Sequence, residues 1–134
     1  MLELQYILNY MKLFSVDEAN AMIPFLRRSI RKVIKEWKKV QKLAPEVQRA
    51  QQHAHVGGGS TLGPIFVRHV IEFQHQVREI ESTGVVVKDF DHGLSDFPHQ
   101  LHGQIVYLCW KLDEDCIQWW HDLESGFPGR QPLD

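Results

Sequence analysis

Residues 15–54 read SVDEANAMIPFLRRSIRKVIKEWKKVQKLAPEVQRAQQHA, and apolar side chains recur in them at Ile23, Leu26, Ile30, Val33, Trp37, Val40, Ala44 and Val47. Alternating steps of three and four put those side chains on one stripe of a helix. Kept up over three heptads, the stripe predicts a long helix that packs against another helix. Ser15-Val16-Asp17-Glu18 supplies its start. The Ser15 hydroxyl can accept from the third helical N–H while Glu18 reaches back to the serine N–H. Two acids in the first turn also suit the positive end of the helix. Pro24 and Pro45 each remove a backbone donor, so breaks or kinks are expected near them.

Downstream, Gly57, Gly58 and Gly59 centre a flexible connection. A second helix is expected over 64–83, from Pro64, with Phe66, Val70, Phe73, Val77 and Ile80 repeating the seam and Gly84 ending it. Two seams joined by a short glycine loop make a long antiparallel, coiled-coil-like helical hairpin. After Gly84 the period changes. Val85-Val86-Val87 reads as a strand and Asp89 to His102 as turn-rich. Gln104–Leu112 and Cys116–His121 read as a hairpin around Asp113-Glu114-Asp115. The fold class is therefore α+β: a helical hairpin followed by a small three-stranded antiparallel β-meander over 85–134, ending in a C-terminal loop. In that meander Val106, Leu108 and Trp110 face one way and Ile105, Tyr107 and Cys109 the other, so both faces are apolar. One face can pack on the helices. The other needs the N-terminal segment or a second subunit, and a homodimer is the expectation.

The chain has 134 residues, 43% hydrophobic and 24% charged, with a formal net charge of -2. These values fit one globular domain over 1–134 and exclude disordered and collagen-like classes. No apolar run nears the roughly 20 residues of a membrane-spanning helix, so no membrane association is expected. Residues 1–14 are apolar enough to resemble a signal peptide. Glu3 precedes any basic residue and no small-residue cleavage pattern follows, which argues against a signal peptide. With the turn at 113–115, Cys109 lies opposite Trp119, three residues from Cys116. At roughly 3.3 Å per residue the two cysteines stand beyond the about 7 Å reach of a disulfide. Free thiols and no leader point to the cytoplasm.

The small net charge is a cancellation. Arg27, Arg28, Arg31, Lys32, Lys35, Lys38, Lys39 and Lys42 face a single acid, Glu36, giving +7 in that stretch and -9 elsewhere. All but Arg27 fall on outward heptad positions. Such a basic stripe could attract nucleic acid. The plainer reading is a solvated helix face, and no aromatic residues interleave it for base stacking.

Asp89-Phe90-Asp91-His92-Gly93, followed by Asp96, is the densest polar stretch. It resembles the opening of a calcium loop but lacks the terminal glutamate, since position 100 is Gln. A divalent transition metal held by Asp89, Asp91, His92 and His121 is the candidate cofactor. The plainer alternative is an acidic turn whose side chains hold its own backbone. His99 and His102 could chelate from a loop, whereas His69 and His75 lie on different helix faces. Neither cysteine belongs to a CxxC pair, which argues against structural zinc. His121, Glu124 and Asp91 are candidate catalytic groups: His121 as a general base oriented by Glu124, with Arg130 holding an anion. Lys88, Trp110, Trp120 and Arg130 are candidate ligand contacts, the tryptophans as pocket walls or, more plainly, as core. There is no nucleophile elbow, phosphate loop or dinucleotide fingerprint.

Leu13-Phe-Ser-Val-Asp-Glu-Ala-Asn-Ala-Met-Ile-Pro-Phe-Leu-Arg27, Gly84-Val-Val-Val-Lys-Asp-Phe-Asp-His-Gly-Leu-Ser-Asp-Phe-Pro98, Leu108-Cys-Trp-Lys111 and Trp120-His-Asp-Leu-Glu-Ser-Gly-Phe-Pro-Gly-Arg-Gln-Pro-Leu133 together resemble a small prokaryotic family known as domain of unknown function number 2203. The resemblance covers roughly Lys12 to Leu133 and implies one unified domain with no established activity, with residues 1–11 as an N-terminal extension and Met11 as an alternative start. Its segments hold Lys88, Asp89, Asp91, Gly93, Asp96, Trp110, His121 and Arg130. The expected protein is a binding or scaffold module that self-associates through helices and sheet, with enzymatic activity left open. The first alternative is a small metal-binding protein or hydrolase using the Asp89–Asp96 loop with His121 and Arg130. The second is a nucleic-acid-associated protein.

Overall fold

A computed structural model describes residues 11–53 and 62–134. The glycines at 57–59, and the expected N-terminal extension apart from Met11, lie outside the described residues. Helix α1 spans Val16–Gln52 and α2 spans Gly63–Glu81. Both halves of the capping box form: Glu18 N donates to Ser15 Oγ at 3.0 Å and Ser15 N to Glu18 Oε1 at 3.1 Å. The Ser15 N–H, and then its hydroxyl, hold the Glu18 carboxyl below its usual range.

The breaks expected near Pro24 and Pro45 are absent. Helix α1 runs through both prolines, and both rings lie on its exposed side. An interior proline costs about 3 kcal/mol. The seam outweighs that, because Ile23, Leu26, Ile30 and Val33 are all buried and each such side chain contributes roughly 1.5–3 kcal/mol. The first half of α1 lies on the sheet and the second half on α2. Trp37, Phe73 and Phe90 form an aromatic cluster with ring centroids 5.0 to 5.8 Å apart. His69 Nδ1 stands 2.6 Å from Glu36 Oε2 across the helix pair.

Five antiparallel strands follow in sequence order: β1 Val86–Asp89, β2 Leu94–Leu101, β3 Gln104–Trp110, β4 Trp119–His121 and β5 Gln131–Pro132. The α+β class holds, but the meander has five strands where three were expected. The Asp89 to His102 segment is the main correction, since its second half is the longest strand. Pro98 made it look like a loop. In β2, however, the Pro98 carbonyl accepts from Phe14 N at 2.7 Å, and a strand residue points its N–H and C=O to the same side. The missing donor therefore faces the edge beyond the end of β1 and not the β3 ladder, where Pro98 pairs with Tyr107. The two-residue turn His102-Gly103 joins β2 to β3 with both residues at positive φ, 49° and 80°, as the tight mirror-image hairpin turns require.

The expected Cys116–His121 strand shrinks to three residues, because Ile117 N is taken by Asn20 Oδ1 of α1 at 2.8 Å. Cys109 does pair with Trp119, and both cysteines are free. The inner sheet face carries Val87, Phe97, Leu108 and Trp110 into a core shared with α1, Ile80 of α2, Phe14 and Ile117. The outer face carries Asp96, Tyr107, Cys109, Trp119 and His121. Near Cys109 that face is closed by the chain's own residues 123–130, a cover expected from the N-terminal segment or another subunit. No helix among the described residues is long and apolar enough to cross a membrane.

Candidate functional site

Three strands deliver the site. Asp96 of β2 pairs with Cys109 of β3, and Tyr107, two residues before Cys109, pairs with His121 of β4. Side chains two apart share a face, so the ladder brings Asp96, Cys109 and His121 together on the outer face. Their ligating atoms all lie within 4.8 Å of one another, and no other group of three such residues comes so close among the described residues. Each is only 2% exposed.

The hydrogen bonds define the imidazole. His121 Nδ1 is 2.6 Å from the Asp122 carbonyl, which can only accept, so Nδ1 carries a proton. The Nε2 atom sits 3.1 Å from both Asp96 oxygens. A cation belongs between them, either a proton or a metal. Burial pushes the Asp96 carboxyl above its ordinary range, and His121 and then Lys88 oppose that shift. Burial, then the Asp96 carboxylate, pushes the Cys109 thiol up to about 11, with Arg130 working the other way. An isolated Cys109 is thus a thiol at neutral pH and a poor nucleophile.

Beside the cluster lies a cavity of about 200 Å³. Lys88 and Glu124 line it with opposite charges, and Leu94, Leu123 and Phe127 give it apolar walls. Lys88 reaches the outer face from a β-bulge. Val87 pairs with Ser95 and Asp89 with Leu94, so Lys88 is the extra residue. Its ammonium lies 4.9 Å from the Tyr107 ring centroid and makes no salt bridge among the described residues.

Of the residues singled out in sequence, Asp96, His121, Lys88 and Glu124 meet at this cavity. The others do not. Asp89 Oδ1 accepts from the N–H groups of Asp91 and His92 at 2.8 and 3.1 Å, and His92 Nδ1 stands 3.1 Å from Asp89 Oδ2. Asp91 Oδ1 accepts from Trp37 Nε1 at 3.2 Å. These residues form a self-bonded acidic turn that ties the sheet to α1, apart from His121. The partner of His121 is Asp96, not Glu124. Arg130 is clamped in two places on Glu114, at 2.9 and 2.5 Å, and also donates to the Cys109 carbonyl at 2.9 Å. Trp110 is buried and donates to the Glu114 carbonyl, while Trp120 packs against the core, so neither walls the cavity.

His99 Nδ1 donates to the Phe14 carbonyl at 2.6 Å. Along α1, Arg28, Arg31, Lys32, Lys35, Lys38 and Lys42 are exposed, Lys39 pairs with Glu36 at 3.6 Å, and Arg27 reaches the Glu114 carbonyl. The residue missed in sequence is Cys109, because the absence of a CxxC pair led attention away from thiols. A strand reading of 94–101 would have set it opposite Asp96.

Together these features define a helical-hairpin α+β protein that carries a buried Asp–Cys–His cluster on the far face of its sheet. The family described as "Uncharacterized conserved protein (DUF2203)" matches residues 12–133, and the chain belongs to that family. No curated protein and no solved structure matches it.

Proposed function

We propose that this protein binds a transition-metal ion of the zinc class through Asp96, Cys109 and His121. The observation carrying this reading is the disposition of His121. Its Nδ1–H is spent on a backbone carbonyl, so Nε2 is held toward a carboxylate and a thiol, the orienting arrangement found around metal-bound histidines. The Nε2–Asp96 separations of 3.1 Å approach the about 3.3 Å ligand–ligand edge that a tetrahedral ion with bonds near 2.05 Å imposes. A thiolate, an imidazole and a carboxylate are a zinc-type donor set, and three protein ligands leave one position for water or a ligand. A bound dication would also deprotonate the thiol that burial otherwise keeps neutral.

The test is a titration of chelator-treated full-length protein with Co(II) and Zn(II). One ion per chain is expected, with thiolate-to-cobalt charge-transfer absorption. That absorption disappears in Cys109→Ser, and affinity falls at least about tenfold in His121→Ala. Loaded protein melts higher than the chelated form. A wild-type chain that takes up neither ion sinks the proposal.

A further inference from the structure

We propose that the cavity beside the cluster takes a small oxyanion, a carboxylate or phosphate, with one oxygen on the open metal position and another on Lys88. This rests on the metal reading above. Three observations carry it. All three ligands line the cavity, so a fourth donor lodged in it stands beside a bound ion. Lys88 faces the same space, and its ammonium makes no salt bridge among the described residues, resting instead over the Tyr107 ring. The β-bulge that carries Lys88 is a device that re-aims a side chain beside a site.

Size narrows the ligand. Sites for drug-sized molecules run from about 300 to 1,000 Å³, so a cavity of about 200 Å³ admits something smaller. Sign narrows it further. A dication bound by the Asp96 carboxylate and the Cys109 thiolate forms a neutral centre, so Lys88 is the one positive side chain among the other lining residues. Glu124, exposed like Lys88 and with its N–H donating to Asp122 Oδ1 at 3.0 Å, sets a negative charge on the same lining. The two side chains should therefore act with opposite signs on the same anion.

The experiment follows the visible spectrum of the Co(II)-loaded full chain during separate titrations with acetate and inorganic phosphate. A saturable spectral change with at least one of them is expected. In Lys88→Met the anion should bind about tenfold more weakly or worse, since hydrogen bonds to charged groups are worth that much. Its cobalt affinity should stay within about threefold, because a separated, solvent-screened charge pair contributes little. In Glu124→Gln the anion should bind more tightly. A merely structural role would not move the two variants in opposite directions. The proposal is overturned if cobalt binds normally and neither anion alters its spectrum, or if Lys88→Met binds anion as wild type does. Failure of cobalt to bind at all instead removes the metal reading beneath it.

Discussion

At Cys109 a hydrogen bond, a burial cost and a neighbouring carboxylate act on one sulfur. The thiol is 2% exposed and pushed up to about 11, first by burial and then by Asp96, whereas Cys116 is exposed. Two consequences are measurable on metal-free protein. At pH 7.5, iodoacetamide should label Cys116 in the folded chain and leave Cys109 unlabelled until denaturant is added; mass mapping checks this. A folded-state value raised above the unfolded 9.0 gives stability that is complete below pH 9 and lost as pH climbs toward 11. Wild type should therefore lose on the order of 2 kcal/mol more than Cys109→Ser across that interval in urea melts. Part of the residue scale was readable beforehand. The polar motif around Asp89 announced itself by composition and proved to be a turn bonded to itself. Cys109 announced nothing, because a cysteine inside an apolar strand looks like any small core residue.

Among the elements, the turn between β1 and β2 binds the two halves of the fold. Gly93 has φ of +65°, and a Cβ there would stand 2.9 Å from both Ile30 Cγ2 of α1 and Leu112 Cβ. Only glycine satisfies the backbone conformation and the close approach at once. Gly93→Ala should cost about 1–3 kcal/mol of unfolding free energy, read from chemical denaturation. An unchanged midpoint would mean that α1 does not seat on this turn. The helices were the readable elements, since a 3.6-residue period and a capping box are local signals. Strand β2 was not. Its proline is tolerated only because β1 stops short and leaves that edge to Phe14. Nothing within residues 94–101 reports where another strand ends.

For the molecule as a whole, the asymmetry of burial in α2 matters. Only Ile80 of that helix is buried, while Ile65, Val67 and Ile71 are 39%, 52% and 59% exposed. Val67 and Ile71, one turn apart, share a helix face, and exposed aliphatics so placed are suited to association. We propose that a second copy covers them, forming a four-helix arrangement with the two sheets outermost. Light scattering should give a dimer mass at micromolar concentration, returned to monomer by Ile71→Glu with the melting temperature little changed. A monomer at every concentration tested would rule this out. Near Cys109 the outer sheet face is closed by residues of the same chain, so the argument for a second copy is made at α2.

Periodicity, capping and turn chemistry are properties of neighbouring residues, so the helical hairpin, the α+β class, the Cys109–Trp119 pairing and the outward basic stripe are all legible in the order of residues. Tertiary structure alone decided three things. Helix α1 continues through Pro24 because the apolar seam buried around it outweighs a missing hydrogen bond. A proline-bearing segment is a strand because of which edge its missing donor faces. Asp96, Cys109 and His121 form one cluster because strand register sums pairings across 25 residues of chain. A shift of one residue in that register would turn each side chain to the opposite face and leave no site.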